Sequence, residues 1–439
     1  MFANPATSLL YGSLFGDAEI ARLFSDSVDI RALLLVEGTL AKVQGTLGMI
    51  PAEAAVYIER AALEVQIDPA ALAAETAQNG VPIPALLAAF RKQSAAPDLM
   101  QYLHWGATSQ DIMDTALALR LRRVLDLWDA RLKSVIGQLG QLAQVHADLP
   151  MAARTYGQIA TPTSFGAVVA GWGWPLLSAQ GRLSALRPEV LRVSLSGAAG
   201  TLSAMGPQGA QVRAELARAL DLADPGHSWH ADRSGIGSLA GFAAGLAASL
   251  GKLGEDLTLL SQSGIAEVRL EQGGASSTMP QKQNPVGPST LVALSRVVIG
   301  QAAILQGAGL HRQQRDGAAW FTEWLTLPQL CVALGRILTL AGECLHNLTP
   351  DADAMTRQME TDQGSIHAEA LSFSLCAEMP RPEAQQVVKD MVQEAISTAT
   401  SLASVTARRY PQIDWASLAA ASLGQAPAEA RAFAARVRG

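Results

Sequence analysis

The chain has 439 residues, which is enough for a large buried core and for two or three domains. A net charge of −6 without runs of Lys or Arg excludes a basic surface of the kind that binds nucleic acid. The three cysteines, Cys331, Cys344 and Cys376, lack metal-like spacing and are typical of buried thiols in a reducing compartment. With no charged-then-apolar signal sequence at the start, we expect a cytoplasmic enzyme.

One stretch, residues 235–251, carries no charge and resembles a membrane span in composition. It is shorter than the roughly 20 strongly apolar residues that a span requires. Gly, Ala and Ser also dilute its hydrophobicity. We therefore expect a buried helix here and no interaction with a membrane.

The first predicted elements are helices. Residues 27–47 form one, Gly48 ends it, and Pro51 with Glu53 begins the next, because Gly favours helix ends and Pro favours helix starts. Alanine and leucine dominate the chain, aromatic residues make up 5%, and sustained two-residue alternation is absent. The composition predicts an all-α fold.

Two later segments carry apolar residues at steps of three and four, which is typical of near-parallel packing of long helices. We interpret both stripes as parts of a long-helix bundle that extends across subunits; a bundle within one chain is the alternative. The stripes are Leu121, Val124, Trp128, Leu132, Val135, Leu139, Leu142 and Leu239, Phe242, Leu246, Leu250, Leu253, Leu257, Leu260.

Joints that contain proline, at Thr349-Pro350 and Met379-Pro380, mark a smaller C-terminal region. The predicted organisation is an N-terminal helical domain at 1–105, a central long-helix bundle at 106–346 and a C-terminal helical domain at 347–439. Within the last of these, residues 427–438 are predicted to form a short helix.

A polar segment, residues 273–285, holds most of the chemistry in the sequence. It combines the hydroxyls of Ser276 and Ser277 with Lys282 and Asn284, between glycines and prolines. Such a loop can close over a substrate and stabilise a carboxylate that gains charge during reaction. The alternative is a polar surface turn, since the same residue types are common in turns.

Two further polar clusters precede predicted helices. Residues 104–111, His-Trp-Gly-Ala-Thr-Ser-Gln-Asp, come before a helix predicted from Ile112, which Ser109 or Asp111 would cap. Residues 154–163 include Arg154, Thr155 and Gln158. A helix N-terminus with nearby hydroxyls is suited to bind a carboxylate, although capping alone also explains these residues.

The loop resembles the signature of the fumarase/aspartase superfamily, in which Ser276, Met279, Lys282 and Asn284 occupy the recurring positions. One departure is Ala275, where the family usually has Gly. If that position needs a positive φ, alanine costs stability, and Gly274 is then the flexible residue.

Within the superfamily, the resemblance is greatest to bacterial 3-carboxy-cis,cis-muconate cycloisomerases, on the branch that also holds adenylosuccinate lyase. Thr108-Ser109 followed by Asp111 is similar to both groups. Tyr156 stands where adenylosuccinate lyases have a catalytic histidine and cycloisomerases have an aromatic residue. An adenylosuccinate-type lyase and a non-catalytic structural homologue remain alternatives.

The resemblance implies a homotetramer with active sites shared between subunits, a polycarboxylate substrate, and neither metal nor organic cofactor. Ser276 would transfer the proton, and Lys282 and Asn284 would stabilise the aci-carboxylate intermediate. The implied substrate-binding residues are His104, Thr108, Ser109, Arg154, Thr155, Tyr156, Gln158, Ser277, Met279, Gln283 and Arg315.

The sequence has fewer positively charged or protonatable residues for binding such a substrate than the cycloisomerases have. Gln281, Gln283 and Gln313 stand where the cycloisomerases have His, Arg and His. These replacements favour a related unsaturated polycarboxylate as an alternative substrate. Four arginines could restore the charge, of which Arg315 matches the family best; the four are Arg154, Arg233, Arg312 and Arg315.

Overall fold

The structure is a computed structural model, and it describes residues 4–271, 274–275 and 278–439. The chain divides into two compact units. The first comprises 1–131, 179–248 and 294–338, and the second comprises 132–178, 249–293 and 339–439. The domain boundaries predicted after residues 105 and 346 stay a prediction.

The N-terminal part consists of short helices around one longer pair. In this pair, Gly38 and Gly45 of one helix face Ala62 and Ala55 of the other so closely that a side chain on either glycine would clash. The helix predicted at 27–47 is confirmed as α3. The helices are α1 (Gly12–Phe15), α2 (Ala18–Arg22), α3 (Asp26–Thr46), α4 (Ala52–Glu64), α5 (Ala73–Asn79), α6 (Ile83–Gln93) and α7 (Pro97–Met100).

Long helices dominate the middle of the chain, which confirms the all-α prediction. They are α8 (Ser109–Val145), α9 (Phe165–Val190), α11 (Ser234–Leu260), α12 (Val286–Gly307) and α13 (Gly317–His346), with the shorter α10 (Gly209–Leu220) before α11. The apolar stripes of α8 and α11 are buried within this chain, except for the half-buried Leu142 and Phe242. Both stripes therefore pack within this chain, and the extension of the bundle across subunits stays a prediction.

In the part of the chain that the structure describes, three antiparallel pairs of strands interrupt the helices, and the sequence did not predict them. The pairs are β1 (Pro150–Thr155) with β2 (Gln158–Ser164), β3 (Val268–Leu270) with β6 (Leu348–Pro350), and β4 (Gly274–Ala275) with β5 (Gln283–Asn284). The strands β3 to β6 are two or three residues long, and β1 and β2 lack the strict alternation of apolar and polar residues by which a strand is recognised.

The C-terminal region is helical, and its second, third and fourth helices pack around a small apolar core that includes Leu371, Val388, Met391 and Leu402. Its helices are α14 (Ala352–Glu360), α15 (Ala368–Leu375), α16 (Arg381–Ser397), α17 (Leu402–Arg409), α18 (Trp415–Ala421) and α19 (Ala426–Arg438). The helix predicted at 427–438 is confirmed as α19.

Helices α11, α12 and α13 are long and apolar enough to cross a membrane by length and composition alone. Residues 235–251 therefore belong to a longer helix than the sequence indicated. About half of the most apolar window of each helix is buried in the chain, from 44% in α12 to 61% in α13. The other residues of these windows are half-buried or exposed in this single chain.

Candidate active site

The first turn of α8 is held by one carboxyl group, that of Asp111. Its Oδ2 accepts the backbone N–H of Thr108 at 3.0 Å and that of Gly197 at 2.9 Å. Its Oδ1 accepts the N–H of Ser196 at 2.8 Å and lies 2.8 Å from Nε2 of His230. Asp111 is the third residue of α8, which begins at Ser109, so the prediction that Ser109 or Asp111 caps a helix from Ile112 is wrong. Asp111 instead binds the N–H of Thr108, the residue before the helix. Asp111 thus ties the start of α8 to two other chain segments.

A second buried network lies one turn further along α8. Arg233, whose side chain is 1% exposed, is paired with Asp114 at 2.7 Å and with Glu323 at 2.6 Å. Burial works against the charged form of Arg233, but the two carboxylates outweigh it and raise its pKa. Burial also raises the pKa of Glu323. Arg233 therefore stays charged, but its charge is compensated by the two carboxylates and is not available to bind a substrate.

Gln110 connects this network to the surface. Its Nε2 donates to Asp114 at 3.1 Å and to the carbonyl of His230 at 3.0 Å. Its Oε1 is therefore oriented to accept, and it accepts Nε–H of Arg315 at 2.9 Å. The amide acts as a fixed link between a buried carboxylate and an exposed guanidinium.

Arg315 is held in place by neutral acceptors. Besides Gln110, it donates to Oγ1 of Thr108 at 3.4 Å and to the carbonyl of Ala198 at 3.1 Å. These contacts orient the guanidinium without cancelling its charge. Arg315 therefore places a positive charge beside the N-terminus of the 37-residue helix α8, where the helix dipole also favours an anion.

The other three arginines considered as sources of charge are each paired. Arg233 is buried as described, Arg154 binds Glu267 at 2.7 Å, and Arg312 binds Asp316 at 2.6 Å. Burial raises the pKa of Glu267, and Arg154 works in the opposite direction. Of the four, Arg315 is the one whose hydrogen-bond acceptors among the described residues are all neutral, which supports its predicted role.

The loop before α8 has a constrained backbone. His104 has φ of 67°, a region that non-glycine residues rarely adopt, and Gly106 follows with φ of 74°. His104 Nδ1 lies 2.6 Å from Oε1 of Glu37, and Gln44 donates to the carbonyl of Trp105 at 2.7 Å. Two buried polar side chains of α3 thus hold this loop.

Residues 154–158 form the turn of the β1–β2 hairpin, where Thr155 pairs with Gln158. Tyr156 lies at the tip with φ of 51°, and its side chain is fully exposed. Among the described residues of this chain, no residue covers the side chain of Tyr156. Its role in binding stays a prediction.

The signature loop is closed at its base by β4 and β5, where Gly274 pairs with Asn284 and Ala275 with Gln283. Ala275 is in a strand and not at a positive φ, so alanine does not lower the stability here through an unfavourable backbone conformation. Gly274 is required for a different reason, because a Cβ there would lie 2.6 Å from Val286.

Lys282, Gln283 and Met279 are exposed in this loop, and the backbone N–H of Lys282 donates to the carbonyl of Met279. Ser276 and Ser277 lie outside the described residues. The proposed roles of Ser276, Lys282 and Asn284 stay predictions.

The predicted residues divide between the two units. The first unit holds His104, Thr108, Ser109 and Arg315; the second holds Arg154, Thr155, Tyr156, Gln158, Met279, Lys282, Gln283 and Asn284. Within the first unit, Thr108 and Arg315 are in direct contact.

Sequence reasoning missed three residues that support the start of α8 and the loop before it: Glu37, Gln110 and His230. Glu37 carried a signal, because an acidic residue within an otherwise apolar helix face needs a polar partner inside the protein. The sequence offered no signal for the partner itself, since residue 37 and residue 104 are distant along the chain.

Comparison with known proteins identifies the family to which this chain belongs. The profile of the lyase family matches residues 20–300, which is more than half of the chain. The chain belongs to the fumarase/aspartase superfamily. The predicted resemblance is thereby confirmed.

Three similar proteins illustrate the range of this family. The 3-carboxy-cis,cis-muconate cycloisomerase of Pseudomonas aeruginosa is 37% identical, over 90% of this chain and 87% of its own. The nitrosuccinate lyase of Streptomyces davaonensis is 35% identical, over 87% of this chain and 83% of its own. The crystal structure of the 3-carboxy-cis,cis-muconate lactonizing enzyme from Pseudomonas putida matches with a TM-score of 0.91 and 33% identity, covering 98% of this chain and all of that one.

Proposed function

We propose that the protein is a cycloisomerase that lactonises 3-carboxy-cis,cis-muconate or a related unsaturated polycarboxylate. The observation that carries the proposal is Arg315, an arginine oriented by neutral acceptors at the N-terminus of α8. This arrangement suits a substrate carboxylate. The similarity to two proteins with this activity supports the same substrate class.

In the forward reaction, one substrate carboxylate attacks the double bond within the same molecule, and a proton is added at the neighbouring carbon. The charge that develops is carried by an adjacent carboxylate as an aci-carboxylate. Lys282 and Asn284 would stabilise that form, each by about 3–4 kcal/mol if they act like other donors to developing oxyanions. Ser276 would deliver the proton; in the reverse elimination it would remove it, as an alkoxide stabilised by the same groups. No metal or organic cofactor is needed for these steps.

A second candidate is a lyase that eliminates a leaving group from a succinate-like substrate, such as an adenylosuccinate-type C–N lyase. Two observations favour keeping it: a nitrosuccinate lyase is about as similar as the cycloisomerases, and three glutamines replace charged or protonatable positions. Tyr156 disfavours the adenylosuccinate type, because that type has a histidine there.

A substrate panel tests the proposal. The loss of diene absorbance is followed with 3-carboxymuconate and muconate, and the loss of fumarate itself is followed when fumarate is the substrate. For adenylosuccinate, and for nitrosuccinate, which is added for the second candidate, the formation of fumarate is measured. We expect turnover of 3-carboxymuconate well above that of the others. Preferred elimination from adenylosuccinate or nitrosuccinate would support the lyase, and a folded protein inactive on all five would support a non-catalytic homologue.

We also propose a cytoplasmic homotetramer whose active sites are shared between subunits. Large apolar side chains are exposed on α12 and α13, which is unusual for a monomer: Val297, Ile299, Ile304, Phe321 and Leu325. Light scattering of the purified protein at micromolar concentration without detergent should give a tetramer. A soluble monomer contradicts the assembly, and a protein soluble only in detergent contradicts the cytoplasmic location.

A further inference from the structure

The contact between Glu37 and His104 is unusual for its burial. Glu37 lies on α3 in the middle of an apolar core, with its side chain 0% exposed, whereas the side chain of His104 is 16% exposed. His104 Nδ1–H donates to Glu37 Oε1 at 2.6 Å. Among the described residues, the second oxygen of Glu37 has no hydrogen-bond partner. A buried carboxylate with one partner is costly, and its charge is compensated best if that partner is a cation.

The loop that carries His104 is fixed from several sides. Gln44, two turns along α3 from Glu37, donates to the carbonyl of Trp105. Arg91 on α6 donates to the carbonyl of Leu103 at 3.2 Å. These contacts hold His104 at its unfavourable φ of 67°, so that the ring stays against Glu37. Strain of this kind persists only where the surroundings impose it.

The electrostatic surroundings favour the protonated ring. The charged groups that face His104 are Glu37 of α3, Asp111 of α8 and Arg91 of α6. Burial lowers the pKa of His104 and Arg91 does the same, but Glu37 and Asp111 outweigh both, so the pKa of His104 is raised. Since Nδ1 is bound to Glu37, the Nε2 edge of the ring is the edge left for a ligand.

We infer that Glu37 is a positioning residue that holds His104 as an imidazolium in the loop that leads to Thr108, the residue that Arg315 contacts. His104 then supplies a second positive charge to the substrate site. This inference rests on the proposed polycarboxylate function, and it addresses the charge that Gln281, Gln283 and Gln313 fail to provide. The ligand class is an anion with several carboxylates.

The test begins with the free protein, so that it does not depend on catalysis. Histidine labelled with ¹³C is incorporated, the His104 signal is identified by its loss in His104→Gln, and it is followed from about pH 5 to about pH 9. In Glu37→Gln, which keeps the acceptor oxygen but removes the charge, His104 should lose its proton at lower pH than in the parent. Glu53→Gln is the control: it makes the same change at an exposed glutamate of α4 and should leave the His104 titration unchanged.

The second measurement follows the affinity for an anion across the same pH range. Below both pKa values the ring is protonated in parent and variant, and above both it is neutral in each, so KM for 3-carboxymuconate should agree at the two ends. Between them, Glu37→Gln should raise KM roughly tenfold, with a smaller effect on kcat, because a charge-assisted hydrogen bond is lost. In His104→Gln, KM should be raised wherever the parent ring is charged.

Three results would overturn the inference: an unchanged His104 titration in Glu37→Gln, a KM profile that does not follow the titration, or a uniform loss of kcat at every pH. If the parent does not turn over 3-carboxymuconate, the proposed function fails separately. Calorimetric titration with tricarballylate, an unreactive tricarboxylate, then replaces KM with Kd. If Glu37→Gln does not fold, His104→Gln decides, and a pH-independent affinity ratio to the parent counts against the inference.

Discussion

The start of α8 and the signature loop contribute predicted site residues in very different ways. At the start of α8, buried Asp111 binds three backbone N–H groups and His230. The loop at 274–284 is closed by one pair of two-residue strands, and its Lys282 and Met279 are exposed. The first region is suited to bind a fixed carboxylate, whereas the described part of the loop offers an exposed lysine, Lys282, to a substrate.

The arginines of the two units make the same contrast in charge. Arg315 is oriented by neutral groups and keeps its charge for a ligand. Arg154 is held by Glu267, so its charge is largely cancelled. The role of an arginine in a candidate site therefore follows only from its hydrogen-bond acceptors. The same residue type can bind a ligand, as proposed for Arg315, or stabilise a hairpin by pairing with a carboxylate, as Arg154 does.

The largest effect is expected in the signature loop. Ser276→Ala should lower kcat by at least ~10³, because the hydroxyl that transfers the proton is lost, while unfolding stability is unchanged. Ser277→Ala, the matched neighbour, should reduce kcat far less, since the family signature places Ser276 six residues before Lys282. Steady-state kinetics on 3-carboxymuconate measure both. Equal losses in the two variants would contradict the assignment of Ser276.

At the start of α8 the main effect should be on stability. Asp111→Asn leaves at least one buried N–H without its acceptor and should lower the free energy of unfolding by about 3 kcal/mol. Asp98→Asn, at an exposed carboxyl group in α7, should change it by less than about 0.5 kcal/mol. Urea denaturation measures both values. A difference below about 1 kcal/mol between the two variants would contradict the role of Asp111 in holding the start of α8.

The charge contrast is tested by removing each kind of arginine. Arg315→Gln should raise KM for 3-carboxymuconate about 10- to 100-fold, because an oriented cation that binds a carboxylate contributes about 1.5–3 kcal/mol. Arg312→Gln removes the same charge from an arginine already paired with Asp316, and we expect a much smaller change. If both variants raise KM equally, the effect comes from net charge and not from the position of Arg315.

The smallest effect concerns the glutamines beside Lys282. Gln281→His combined with Gln283→Arg adds up to two positive charges to the loop and should tighten binding of 3-carboxymuconate roughly tenfold, with a steeper dependence on salt. KM measured at low and high ionic strength checks this. Loss of activity on that substrate would instead mean that the two amides recognise a less charged group, in favour of the second candidate function.

Local signals in the sequence determined much of the fold. The stop at Gly48 and the start at Pro51 placed α3 and α4 nearly to the residue, because glycine and proline act on the backbone of their own segment. The spacing of Ser276, Met279, Lys282 and Asn284 identified the superfamily for a similar reason: the chemistry requires these residue types within one short loop. Both depend on neighbours along the chain.

The tertiary structure decided whatever depends on partners distant in sequence. The spacing of the stripes on α8 and α11 predicted their packing but not that the surface they meet belongs to the same chain. The sequence favoured Arg315 among four candidate arginines only by resemblance, and the acceptors in the fold showed which of them are paired with carboxylates. The partnership of Glu37 with His104 likewise has no local signal, because a buried charge is stabilised by whichever group the fold brings beside it.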